Sequence, residues 1–161
     1  MPPRPKVADI GSKRLISIAP DAWVQWLTQD SRLRVQSVLP ATELQWVGRA
    51  TDALIQVSSP DEGEFLILNE IESRYTHNVP WRLQAYAGLA EERYRLRVYP
   101  VLMNIWQPGP NVQIPQCYTH TLHGLQTLRE YRVINLWEVD AAVAFQPMMR
   151  PLLPFVPALR G

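Results

Sequence analysis

The stretch RATDALIQVSSPDEGEFLILNEIESRY, residues 49 to 75, decides the fold. Two runs rich in β-branched and apolar residues, 44 to 57 and 64 to 72, flank the turn-forming SSPDEG, and this pattern predicts a β-hairpin. On the second arm Phe65, Ile67 and Ile71 alternate with Leu66 and Leu68, so both faces are apolar. A strand of that kind is covered on both sides, as at the centre of an α/β sheet.

The hairpin also places acidic residues. For a turn centred near residue 61, Asp52 lies opposite Glu70. Directly opposed residues in an antiparallel pair have Cβ atoms roughly 4.5 to 5.5 Å apart, and like charges there destabilise the sheet unless something offsets them. A divalent cation is one candidate. Because strand side chains alternate, Glu72 shares the face of Glu70, and the earlier residues on that face, Leu66 and Leu68, are apolar. Three carboxylates are thus expected to converge at the edge of a buried element. Hard oxygen ligands suit Mg²⁺ or Mn²⁺, since Mg²⁺ needs one or two protein carboxylates and fills its other positions with water and phosphate. The competing reading is a set of solvated charges at a strand end. Pro60-Asp61 ahead of Glu70 and Glu72 imitates a Pro-Asp signature, but nine strand residues put Asp61 about 30 Å from Glu70.

Outward from the hairpin, Pro20 to Leu27 predicts a helix. Proline suits its opening turn, Asp21 its positive end, and Trp23, Trp26 and Leu27 fall at i, i+3, i+4 as core packing. RLRVQSVL, residues 32 to 39, reads as a strand. Residues 81 to 93 read as a helix, started by Pro80, with Leu83, Tyr86, Ala87 and Ala90 in one stripe. Residues 98 to 106 are an apolar strand, a Pro/Gly loop follows, and 116 to 122 and 131 to 139 are two further strands. The expected architecture is an α/β domain with a mixed β-sheet flanked by helices. Residues 1 to 161 form one domain, with the proline-rich 1 to 8 and 147 to 161 as extended arms.

Composition bounds the function. The chain has 161 residues, 47% of them hydrophobic, and 16 Lys and Arg against 15 Asp and Glu give a formal charge of +1. That is no footprint of a generic nucleic-acid binder, so any such activity must come from local charge. Local charge is present. Residues 61 to 72 carry five acids and no cation, whereas 74 to 97 carry Arg74, Arg82, Arg93, Arg95 and Arg97 against Glu91 and Glu92. Solvated faces with compensating pairs are the alternative reading of these blocks. The single Cys117 excludes an internal disulfide framework, which makes the reducing cytoplasm the default, and Leu15 to Ala19 is too short an apolar run for a secretion signal. No membrane segment is expected. Phosphate-loop, dinucleotide and nucleophile-elbow motifs are missing, so no nucleotide cofactor is expected.

RATDALIQV, FLILNEIESRY and VPWRLQAY, taken in order, resemble the PD-(D/E)XK nuclease superfamily, in particular the cyanobacterial group related to recombination-promoting nucleases and putative transposases. Members tend to show an Arg-x-x-Asp strand, a Glu-x-Gln-Ser/Thr-Arg strand end, and a helix opening with Pro-x-Arg and containing a Tyr. The matching positions are Arg49 with Asp52, Glu70 with Glu72, Ser73 and Arg74, and Pro80 with Arg82 and Tyr86. The closing PLLPFVPALRG is similar to the Pro-Leu stretch after the nuclease core, and the resemblance spans most of residues 9 to 161.

The resemblance implies a restriction-endonuclease-like fold, Mg²⁺-dependent (or Mn²⁺-dependent) cleavage of DNA, metal ligands Asp52, Glu70 and the backbone carbonyl of Ile71, and a possible homodimer for cutting both strands. Glu72 stands where the superfamily has Lys, or in this group often Gln. A glutamate cannot orient water and stabilise phosphorane charge as lysine does. It acts as an extra ligand or general base, or else marks lost activity in a module that only binds nucleic acid or protein. Arg74, Arg82 or Gln84, or Lys13 from the N-terminal segment, are the candidates to supply the missing donor to phosphate. For Arg82 a structural salt bridge competes with that role, and for Gln84 a solvated position. His120 and His123 sit on opposite faces of a strand, which disfavours a shared zinc. Loop residue His77 and a small buried thiol at Cys117 complete the candidates.

Overall fold

The computed structural model describes residues 16–39, 51–122 and 124–161. Lys13, Arg49, His123, the N-terminal arm and the first part of the expected 44–57 strand lie outside these residues.

Helix α1 (Pro20–Thr28) and strand β1 (Arg34–Leu39) are followed by the hairpin β2 (Ala53–Ser59) and β3 (Gly63–Glu72). Next come helix α2 (Val79–Tyr94), β4 (Arg97–Asn104), β5 (Cys117–Leu122), β6 (Leu125–Glu130) and β7 (Arg132–Asn135). Five strands form one mixed sheet in the order β1-β2-β3-β4-β7; its first two pairings are antiparallel and its last two parallel. Parallel neighbours need a crossover, and α2 supplies it between β3 and β4.

Alternation along the strands divides the core as the sequence predicts. Ala53, Ile55, Val57, Ile67, Val101 and Met103 pack under α1 with Trp23, Val24 and Leu27. Leu54, Leu66, Leu68 and Leu102 pack under α2 with Leu83, Tyr86 and Ala90. The stripe read on α2 is its buried face, and the small side chains of Ala87 and Ala90 let the helix lie close to the sheet. A fully buried Leu or Ile is worth about 1.5–3 kcal/mol, so these two layers outweigh any single polar contact. The main polar one is a hydrogen bond from Trp23 Nε1 to Asn69 Oδ1 at 3.2 Å in the α1 layer.

Three elements differ from expectation. Strand β6 has no counterpart among the expected strands; it pairs with β5 as a separate two-stranded hairpin, with Gly124 at φ 80°, a conformation glycine adopts without Cβ strain. The expected 131–139 strand stops at Asn135 and continues as a 3₁₀ turn, Leu136–Glu138. The tail is not an extended arm. Residues Pro147–Ala158 wind in 3₁₀ turns, kinked at Met149, with Met149, Pro151, Leu152 and Ala158 buried. Proline at 151, 154 and 157 matches the three-residue period, so the missing N–H groups fall along one edge. Backbone bonds between Arg160 and residues 139 and 141 fasten the chain end.

Candidate functional site

The register of the hairpin pairs Ala53 with Asn69 and Leu54 with Leu68, and Asp52 lies one residue before this ladder begins. Asp52 Oδ2 accepts a hydrogen bond of 2.7 Å from the amide of Ile71, which fastens the entry to β2 against the end of β3. Ile71 thus meets Asp52 through its N–H, while its side chain packs in the α1 layer. Glu70 is 4% exposed and lies on the α2 side with Leu66 and Leu68. Glu72, two residues on, shares that side and is half-buried.

Arg82 reaches down from the first turns of α2 to both glutamates. Its Nη2 lies 3.4 Å from Glu70 Oε2 and closer still to Glu72 Oε1. A guanidinium therefore offsets the like charges at the strand end. Among the described residues no group of three or more His, Cys, Asp and Glu is arranged to hold a metal ion. Asp52 is held at the Ile71 amide while Glu70 and Glu72 are held by Arg82, which departs from the three-carboxylate convergence expected above.

The neighbouring strands add polar groups that the sequence reading passed over. Glu72 pairs with Asn104 in β4, and Asn104 with Asn135 in β7, so all three side chains share the α2 side of the sheet. Asn104 is fully buried; its amide nitrogen donates to Asn135 Oδ1 at 3.0 Å, and its Oδ1 has no hydrogen-bond partner among the described residues. A buried acceptor left without a partner costs about 1–3 kcal/mol. Beside the carboxylates, that oxygen fits a water or an ion. The cluster lies on the last residues of the parallel strands β3, β4 and β7, at the carboxyl edge where open α/β sheets place their ligands.

The other expected residues are scattered. Arg74 is exposed in the loop before α2. Gln84 accepts from Arg129 Nε at 3.2 Å, and Arg129 makes a bidentate pair with Glu91 at 2.8 Å, so Gln84 is engaged with the hairpin instead of standing at the carboxylates. Arg129 had no signal of its own because β6 was not read as a strand. Asp61 sits in the β2–β3 turn, paired with Arg32, and Glu62 there meets Arg97 at 3.0 Å; this end of the acidic run is a compensated face. His77 is exposed beside Tyr75, and Cys117 is a free, half-buried thiol.

No helix among the described residues is long and apolar enough to cross a membrane. Compared with protein-family models, curated proteins and solved structures, the chain matches none.

Proposed function

We propose that the chain is a metal-dependent phosphodiesterase with a restriction-endonuclease-like fold that cleaves DNA in the cytoplasm. The supporting observation is the Asp52 carboxylate fastened to the Ile71 amide, next in sequence to a nearly buried Glu70 at the carboxyl end of β3. Asp52 and Glu70 would hold Mg²⁺ or Mn²⁺, with the Ile71 carbonyl and Asn104 Oδ1 as neighbouring oxygens. When bound, such a cation lowers the pKa of a coordinated water and neutralises charge developing on the phosphodiester. Glu72 is the group within the cluster able to take a proton from that water. Arg82, released from the glutamates, would donate to a phosphate oxygen from the helix instead of from the strand position where the superfamily carries Lys or Gln. With one site per protomer, cutting both strands calls for a homodimer.

One observation favours a second reading. Arg82 already neutralises Glu70 and Glu72, as it would in a silent relative that keeps the fold and binds nucleic acid or a protein partner. Nicking of supercoiled plasmid in Mg²⁺ and in Mn²⁺ separates the two. The enzyme nicks, and Asp52→Asn, which keeps an acceptor for the Ile71 amide, stops it; a wild-type protein inert with both metals is the silent module.

A further inference from the structure

The amino end of α2 carries an aromatic group that no part of the proposed cleavage uses. Trp81 is 62% exposed although it sits in the first turn of a packed helix. Its ring lies 4.8 Å from that of Tyr118, edge-on, and 6.3 Å from that of His120, with the Trp81 and His120 planes only 16° apart. Tyr118 in turn stands edge-on to His120 at 5.4 Å. Tyr118 is buried and forms the base, so two nearly parallel rings are presented above it, both exposed. The same face of the hairpin continues at its tip with Leu122 and Leu125, also exposed.

The surroundings select what such a surface takes. Residues 73 to 90 contain no acid, and while Glu70 and Glu72 take up Arg82, Arg74 is exposed in the loop that leads into α2. The first turn of α2 has no acidic residue, and its capping position makes no side-chain hydrogen bond, so the positive end of a 16-residue helix adds to the same field. Exposed aromatic rings beside a helix amino end suit a stacked base whose phosphate meets the helix amides. Duplex bases are stacked on each other and do not offer a free face. Arg82, the next residue after Trp81, is the one that reaches Glu70 and Glu72, so a strand lying on the rings runs towards the carboxylates.

We infer that Trp81 and His120, based on Tyr118, form a stacking site for an unpaired nucleobase, which makes single-stranded nucleic acid or the frayed end of a duplex the preferred substrate of the adjoining site. This rests on the nucleic-acid reading above and extends it to a substrate class.

Fluorescence anisotropy of labelled 20-mers, single-stranded and duplex, in EDTA tests it without any cleavage. The wild type is expected to bind the single strand more tightly. Trp81→Ala should weaken single-strand binding about tenfold, the loss of one stacked base, and His120→Ala by less. Duplex affinity should change less than twofold, and Trp81→Phe should retain most of the binding. Equal losses for single strand and duplex, or none for either, overturn the inference, as does a concentration-dependent dimer in sedimentation that Trp81→Ala dissolves. The nuclease reading fails separately: a protein that binds single strands through Trp81 and nicks nothing keeps the stacking site and loses the hydrolase, whereas metal-dependent nicking with Trp81→Ala binding as wild type does the reverse.

Discussion

At position 82 one arginine determines the state of the carboxylate cluster. Glu70 is nearly buried, and among the described residues the Arg82 guanidinium lies within salt-bridge distance of it. Removing one member of a largely buried pair leaves the other charge uncompensated, reduced here because Arg82 is itself about a quarter exposed. Arg82→Gln is therefore expected to lower stability by about 1–3 kcal/mol, measured by urea unfolding. The same variant tests the metal reading without catalysis. If Asp52 and Glu70 bind a hard cation, 10 mM Mg²⁺ should raise the melting temperature of Arg82→Gln by more than that of the wild type, because ligand binding to the folded state alone stabilises it; equal shifts count against a metal there. Asp52 carries a structural load too. Asp52→Ala removes the acceptor of the Ile71 amide and should cost about 1–2 kcal/mol, while Asp52→Asn should cost less than half as much in the same measurement.

The β5–β6 hairpin is the element whose stability depends most on side chains outside its own ladder. It belongs to a separate two-stranded sheet, and two-stranded hairpins are marginal alone in water. Its anchors are the packing of Tyr118 on Trp81 and the bidentate Arg129–Glu91 pair with Gln84 alongside. Arg129→Ala should therefore loosen the hairpin and leave the five-stranded sheet alone. Hydrogen exchange of amides in 117–122 and 125–130 is expected to quicken about fivefold, the loss of roughly 1 kcal/mol for a partly exposed pair. Exchange in β2, β3 and β4 should be unchanged, and a uniform increase across both sheets would mean that the anchor supports the whole fold. The hairpin also holds His120 parallel to Trp81, so the same substitution should blunt single-strand binding.

For the whole molecule, the α2 layer sets an alkaline limit. Tyr131 is only 5% exposed, and burial pushes its phenol well above the ordinary tyrosine value, with Tyr75 and Cys117 close by adding in the same direction; burial raises Tyr75 as well. The unfolded chain releases these protons near pH 10 and the folded chain holds them to higher pH. Stability is thus fully present below pH 10 and falls as pH rises beyond it. The Tyr131 hydroxyl has no hydrogen-bond partner among the described residues. Tyr131→Phe should therefore match or slightly exceed the wild-type melting temperature at pH 8, and its decline above pH 10 should be shallower. A steeper decline would mean that the hydroxyl is held by something other than its buried surroundings.

Much of this architecture was legible in the chain. Alternation in residues 64 to 72 specified a strand covered on both faces, the turn SSPDEG specified the register that pairs Ala53 with Asn69, and the stripe Leu83, Tyr86, Ala87, Ala90 specified the buried side of α2. These are local properties, set by the period of two in strands and 3.6 in helices and by turn closure. What the sequence alone left open was which distant groups meet. That Arg82 and not a third carboxylate answers Glu70 and Glu72, that Asn104 and Asn135 join them from neighbouring strands, and that Trp81 faces His120 across 39 positions of chain follow from the crossover through α2 and the docking of an unforeseen hairpin. Sequence spacing records periodicity along one element, whereas contacts between elements are decided only when their faces are buried against each other.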